Sequence, residues 1–277
     1  MADPVDIHDR ALPATSATML SLLLWTGAMV STPCVDMGRT VSIVVPYRQR
    51  PFHLRQFRRH MASFWKKEFP CDNMWIYVVE QNDAHLFNRA ALGNVGILEV
   101  IRTASNERII VDCIVFHDVD LVPEPNVPYT TCTSPIQLGS ELENHAWSVP
   151  YDKYAGGVVS MRPQDWVAIN GMSTKFRGWG GEDDDLHRRL KGAGLLANKT
   201  SLYRPPQGHG RFKIIDETTE HHPRNHNHSN YWNNVKLLEE TSSWQNDGLT
   251  STQYAVTEFL NRGNYTHLKV NLHSTAL

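Results

Sequence analysis

The sequence is short of cysteine, of basic runs and of long apolar runs, and each shortage excludes a class of protein. Four cysteines in 277 residues are too few for a scaffold built on disulfides, and none stand in CxxC spacing, which excludes a zinc ribbon. Lysine plus arginine number 27 against 29 for aspartate plus glutamate, a formal net charge of -2, with no basic block. That balance does not suit a nucleic-acid binder driven by phosphate contacts. Repeats and low-complexity tracts are absent. With 41% hydrophobic and 20% charged residues the chain is globular and long enough to bury a sizeable core.

The longest apolar stretch, Ala17–Val30 (ATMLSLLLWTGAMV), has 14 residues, short of the roughly 20 that a membrane-crossing helix needs. It is long enough for the core of a secretory signal. Asp3, Asp6 and Asp9 precede it against a single Arg10, where a basic start is usual. We read residues 1–40 as an N-terminal segment with a signal peptide or signal-anchor at about 17–30, and 41–277 as one folded domain; the other reading of 17–30 is a buried or irregular segment. Three sequons, Asn198-Lys-Thr200, Asn227-His-Ser229 and Asn264-Tyr-Thr266, fit a lumenal or extracellular setting.

Val41–Val45 (VSIVV), stopped by Pro46, reads as a buried strand. A helix follows over His53–Lys67, because Leu54, Phe57, Met61 and Phe64 share one face. Trp75–Val79 (WIYVV) is a second buried strand, 88–100 a second helix, and Ile114–Phe116 a third strand that continues into His117-Asp-Val-Asp120. Strand and helix in alternation predict an α/β domain with a largely parallel sheet, and ligands of such sheets sit beyond the carboxyl ends of the strands. The second half is less regular, with a helix over Leu186–Lys191 and a long polar, histidine-rich loop over 204–234.

In an extended Asp118-Val-Asp120 both carboxylates point the same way. A carboxylate pair is a seat for a hard divalent cation, which can clamp a diphosphate leaving group; a solvated loop end is the plainer reading. Arg48, Arg50 and Arg89 suit phosphate oxygens, or are surface charges. Gly156-Gly157 allows close approach of a ligand, or makes a turn. Glu182-Asp-Asp-Asp185 follows Trp179 and two glycines and opens a helix. Acids cap helix N-termini; beside an aromatic platform they also offer a general base and acceptors for sugar hydroxyls.

Together and in this order the motifs resemble the β-1,4-galactosyltransferase family. The resemblance runs from about Val41 to Asn271 on Val45-Pro-Tyr-Arg-Gln-Arg50, Phe87-Asn-Arg-Ala-Ala-Leu92 with Asn94-Val-Gly96, His117-Asp-Val-Asp-Leu121, Tyr151 with Tyr154-Ala-Gly-Gly157, Asn170-Gly171, Gly178–Asp185 and Asp247-Gly-Leu249. It implies an α/β GT-A glycosyltransferase fold: a single Rossmann-like catalytic domain over 41–277 with a mostly parallel central sheet. The implied activity is inverting transfer of galactose from UDP-galactose, with Mn2+, to a sugar hydroxyl of a glycoprotein or proteoglycan. The implied setting is the Golgi apparatus membrane, with a lumenal catalytic domain behind an N-terminal anchor.

By the same resemblance, Pro46, Tyr47, Arg48, Arg50, Phe87, Asn88 and Arg89 would hold the donor, with Asp118, Val119 and Trp179 along the nucleotide sugar. Asp120 would bind the metal. Asp183 would be the base with Glu182 beside it, and Tyr151, Gly181 and Asp184 would meet the acceptor. Tyr154 stands where the family distinguishes galactose from N-acetylgalactosamine. His117, Phe87-Asn-Arg-Ala-Ala-Leu92, Asn170-Gly-Met-Ser173 and Arg188–Leu195 are similar to the branch that galactosylates xylose, whereas Cys113 and Cys132 match a disulfide of the branches that modify N-acetylglucosamine. Two positions depart from the family: Arg177 replaces a usual tryptophan, and the second metal ligand, a histidine in the family, falls on Glu217 without a gap or on His221 or His222 with one. The alternatives are a catalytically impaired sugar- or nucleotide-sugar-binding relative, N-acetylgalactosaminyl transfer by the same scaffold, and an unrelated metal-dependent hydrolase.

Overall fold

The computed structural model describes Cys34 and residues 38–198, 200–215, 230–240 and 244–273. The apolar segment at 17–30 lies outside these residues, as do Glu217, His221 and His222. Among the described residues no helix is long and apolar enough to cross a membrane.

Strand β1 (Thr40–Tyr47) is buried at every position. Its alternation sends Val41, Ile43 and Val45 to one side of the sheet and Val44 to the other. On the first side α1 (Pro51–Glu68) packs Leu54, Phe57, Met61 and Phe64, the stripe expected from their spacing. After β2 (Asn73–Gln81), α2 (Arg89–Glu107) covers the second side with Leu92, Val95 and Val100. Asn88 caps α2 by accepting the Ala91 N–H at 2.8 Å, an interaction worth about 1 kcal/mol. β3 (Cys113–His117) then returns to the sheet.

Smaller elements complete the chain: β4 (Leu121–Pro123), β5 (Ile136–Gln137), β6 (Glu141–Leu142), β7 (Val158–Met161), α3 (Pro163–Ala168), α4 (Glu182–Gly192), β8 (Arg211–Ile214), α5 (Tyr231–Glu240), β9 (Tyr254–Asn261) and β10 (Tyr265–Leu272). The large sheet has the order β5-β7-β3-β1-β2-β10-β9. Its four central strands β3, β1, β2 and β10 are mutually parallel, and antiparallel partners flank them. A second sheet of β4, β8 and β6 lies beside it.

Two sequence expectations change. The stretch read as a polar loop over 204–234 contains β8, and α5 begins at its end. β3 stops at His117, so Asp118–Asp120 form a turn, closed by the Leu121 N–H donating to the Asp118 carbonyl at 3.4 Å. The same-side argument from strand alternation therefore does not apply to the two aspartates. His117 fixes that turn. Buried and pushed down to about 4 by desolvation, it is neutral. Its Nδ1 lies 2.8 Å from the Asp118 carbonyl and Nε2 2.7 Å from the Tyr129 hydroxyl. A carbonyl only accepts, so Nδ1 carries the proton and Tyr129 donates to Nε2. Cys113 and Cys132 form a disulfide across 19 residues, a loop closure worth about 3 kcal/mol.

Candidate active site

A cavity of about 940 Å3 opens beyond the carboxyl ends of β1 and β3. Of the residues singled out in the sequence it gathers Pro46, Tyr47, Arg48, Arg50, Phe87, Arg89, Asp118, Val119, Asp120, Tyr151, Tyr154, Trp179, Gly181, Glu182, Asp183 and Asp184. Asn88 does not line it. Besides capping α2, its Nδ2 donates to the Thr174 carbonyl at 2.7 Å and its backbone N–H to Gln81 Oε1 at 2.9 Å. The sequence placed it with the donor because it lies between Phe87 and Arg89, but its side chain serves the helix start.

One wall is made by the end of β1 and the 84–87 loop. Arg48 Nη2 donates to the carbonyls of His85 (2.6 Å) and Asp83 (3.2 Å), and its guanidinium lies 5.7 Å from the Phe87 ring. Arg48 thus shapes the loop that presents Phe87. The Arg50 N–H donates to the Tyr47 hydroxyl at 3.0 Å, and Arg50 Nη1, partly buried, pairs with the buried Asp120 at 3.2 Å.

Arg89 ties the centre together. Its Nε donates to Asp118 and its Nη1 to Asp183, each at 2.7 Å, with Glu182 at 3.7 Å. The guanidinium rests 4.3 Å from the Phe116 ring, and its buried Nη2 has no hydrogen-bond partner among the described residues. Burial opposes its charge, but Asp118, Asp183 and Glu182 outweigh it and raise its pKa. Near this cation Asp118, Glu182 and Asp184 shift upward. Burial raises Asp118 against the pull of Arg89. Burial and then Asp183 push Glu182 up to about 7. Asp184 is raised by burial although a hydrogen bond from Tyr151 opposes the rise. Burial also keeps the Tyr151 and Tyr154 phenols protonated.

The opposite wall begins at Gly181, whose φ of +93° lets the chain turn sharply into α4. All four acids Glu182–Asp185 fall in the first turn of that helix, where its dipole favours negative charge. Capping and presentation to the cavity are therefore served by the same residues. Trp179 stacks on Tyr231 with ring centres 5.6 Å apart and planes at 28°. Gly156 supplies close approach: a Cβ there would stand 2.1 Å from Asp183 Oδ2. Gly157, at φ +67°, supplies the turn.

The donor chemistry fits a hard divalent cation at Asp120, a buried carboxylate at the cavity floor. Among the described residues no group of three or more His, Cys, Asp or Glu is arranged to hold one. Sequence reasoning missed Asn144 and His145, brought to the cavity by the turn after β6, and Tyr231. Only the fold carries that signal. Arg177 lies off the cavity, with its carbonyl accepting from Asn230 and Asn234.

Two family models match the chain: the N-terminal region of glycosyl transferase group 7 over residues 8–133, and the N-terminal domain of galactosyltransferase over 137–218. The chain is 32% identical over 238 residues to β-1,4-galactosyltransferase 4 of Mus musculus, covering 85% of this chain and 64% of that protein. It is 33% identical over 223 residues to β-1,4-galactosyltransferase 3 of Homo sapiens, covering 80% and 52%. It thus spans about half to two thirds of the length of these curated relatives. Among solved structures, the catalytic domain of Drosophila β-1,4-galactosyltransferase 7 complexed with xylobiose matches with a TM-score of 0.66 and 28% identity, over 85% of this chain and 94% of that one. A mutant of the same enzyme complexed with manganese, UDP-Gal and xylobiose matches equally well in TM-score, at 26% identity.

Proposed function

The chain belongs to the β-1,4-galactosyltransferase family of glycosyl transferase group 7, and from that premise we propose that it is an inverting β-1,4-galactosyltransferase using UDP-galactose. The observation that carries the reading is the Arg89 clamp, which joins the carboxylate beyond β3 to the acid run of α4 inside one cavity. Such a junction sets donor and acceptor groups side by side, which is what a single displacement needs.

In this reading Tyr47, Arg48 and the 84–87 loop hold the nucleotide, and Arg50 and Arg89 face the diphosphate. Asp120 holds the metal, and bound Mn2+ would serve as a Lewis acid on the diphosphate oxygens. Trp179, Gly181, Tyr151 and Asp184 hold the acceptor sugar. Asp183 takes the proton of the acceptor hydroxyl as that oxygen attacks the anomeric carbon, and Arg89 keeps its carboxylate aimed. Glu182, raised to about 7, stands beside it as a second proton-holding group. The N-terminal segment would anchor the domain in the Golgi lumen.

Two acceptors have support. The likeness over 94% of the xylobiose-bound neighbour favours xylose, and the Cys113–Cys132 bond favours the branches acting on N-acetylglucosamine. The test is UDP-galactose transfer with Mn2+ to a xyloside and an N-acetylglucosaminide side by side. Transfer to either supports the reading, and the preferred one names the branch. UDP binding without transfer to either would leave an impaired relative, and galactose released without an acceptor would leave a hydrolase.

A further inference from the structure

Strand β9 is the outer edge of the large sheet, and seven of its eight residues are exposed. Val256 is 44% exposed, Phe259 55% and Leu260 43%. A long apolar edge with unpaired backbone groups is a template for pairing with another chain, and proteins that keep such an edge cover or charge it. Glu258 is held by Lys269 of the neighbouring strand at 2.9 Å, so its charge is partly neutralised.

After this strand comes Asn264-Tyr-Thr266, with Asn264 in the tight turn between β9 and β10 and Tyr265 and Thr266 opening β10. The Asn264 carbonyl accepts the Ile76 N–H at 2.9 Å, which fixes the turn against β2. Its side chain is exposed, with no hydrogen-bond partner among the described residues. Asn198, in another sequon, folds its Oδ1 back onto the Thr200 and Ser201 N–H groups at 3.1 and 2.8 Å. Asn264 thus has room for a substituent, and an apolar strand beside it to cover.

We propose that Asn264 carries an N-linked glycan and that this glycan covers the exposed end of β9. The inference rests on the proposed passage of the chain through the secretory pathway, where a lipid-linked oligosaccharide diphosphate is the donor. The step breaks the bond from the sugar's anomeric carbon to the diphosphate oxygen and joins that carbon to Asn264 Nδ2. One amide proton is lost, and the lipid diphosphate leaves. Thr266 of the sequon is buried in β10, 5% exposed, so attachment precedes the closing of that strand.

The placement spares the cavity. β10 runs parallel to β2, and Asn264 directly precedes its first residue. Asn264 therefore lies at the amino ends of the parallel strands, whereas the cavity lies beyond their carboxyl ends.

The test uses the full chain purified from a secretory eukaryotic host. Enzymatic release of N-glycans in heavy-oxygen water converts each occupied Asn to labelled Asp, read by peptide mass. We expect label at Asn264. Asn264→Gln should self-associate at about tenfold lower concentration in sedimentation, roughly 1.4 kcal/mol of added association. Adding Phe259→Lys should reverse this, and galactosyl transfer should be unchanged in both variants. An unlabelled Asn264 in protein whose Cys113–Cys132 disulfide has formed overturns the inference alone. Absence of both label and disulfide overturns the secretory reading with it. A labelled Asn264 with unchanged association in Asn264→Gln overturns the covering role.

Discussion

Asp183 and Asp185 stand two residues apart on α4, about 200° around the helix, and each meets an arginine. Behind the helix Arg189 is fully buried. Its Nε pairs with Asp185 at 2.6 Å, its Nη1 donates to the Asp247 carbonyl at 2.7 Å, and its Nη2 reaches Asp247 Oδ2 at 3.4 Å. Asp247 is closed further by the Ser173 hydroxyl and by the backbone N–H and hydroxyl of Thr174. In front, Arg89 faces Asp118, Asp183 and Glu182, and among the described residues one of its nitrogens has no hydrogen-bond partner and no neutral donor caps Asp183. One cluster is saturated and dry. The other keeps an excess of carboxylate toward a cavity. The same ion-pair chemistry is structural where every polar atom is satisfied, and available for proton transfer where it is not.

That contrast breaks most visibly at Asp183. Asp183→Asn keeps the shape and removes the proton acceptor, so turnover should fall by roughly 10²–10⁴-fold. Stability and UDP-galactose binding should change little. Steady-state kinetics with a denaturation curve checks both, and near-normal turnover would move the base elsewhere.

Asp185→Asn should give the mirror result. Breaking a buried ion pair from one side costs about 3–5 kcal/mol, because the remaining charge is stranded. A urea unfolding curve should show the loss. Catalysis at saturating substrate should fall far less than in Asp183→Asn in the fraction that stays folded. A loss below about 1 kcal/mol, the range of exposed pairs, would mean that Arg189 does not act as a buried brace.

How far these clusters were legible in the sequence differs by residue. VSIVV, WIYVV and the Ile114–Phe116 run announced themselves because strands buried on both faces read as β-branched runs. β9 gave no such sign, since residues exposed on both faces carry no alternation. The acid run was visible, but its division was not: Asp183 faces the cavity and Asp185 the interior only once α4 begins at Glu182 rather than at Leu186. Arg89 and Asp183 are 94 residues apart, and Arg189 and Asp247 are 58 apart, so spacing could not pair them. Gly156 looked like a turn or a ligand approach. It makes room for Asp183 instead.

Glu182 sharpens the comparison through pH. Its folded pKa is raised to about 7 by burial, from an ordinary 4.5. Between those values the folded protein holds a proton that the unfolded chain has lost. Stability from this group is therefore full below about pH 4.5 and is lost as pH rises to about 7. Glu182→Gln should remove that slope and make the unliganded protein more stable above pH 7, by on the order of 1–3 kcal/mol. Unfolding midpoints at pH 5 and pH 8 give the answer, and equal slopes in both proteins would place Glu182 in a wetter setting than its burial implies.

The smallest effect concerns what the open cluster admits. Tyr154 lines the cavity with its hydroxyl 3.1 Å from the position a Cβ on Gly157 would take, and its ring lies 2.7 Å from the corresponding point on Gly156. The phenol thus fills the space between the glycine turn and the Asp183 carboxylate. A donor sugar bearing an N-acetyl group in place of a hydroxyl needs extra volume, and a ring wedged there rejects it by clash rather than by a lost contact. Tyr154→Leu removes the far half of the ring and leaves Arg89, Asp118 and Asp183 untouched. The ratio of UDP-N-acetylgalactosamine to UDP-galactose use, compared as kcat/KM, should rise by about tenfold, the low end of what a change of a few carbon atoms does in a pocket. The closed cluster offers a control: Asp185→Asn changes the stability of the helix bearing Asp183 without touching this wall, so its donor ratio should stay that of the unaltered protein. If the unaltered protein uses both donors equally, Tyr154 does not set the donor, and the selectivity of the open cluster must come from its other walls.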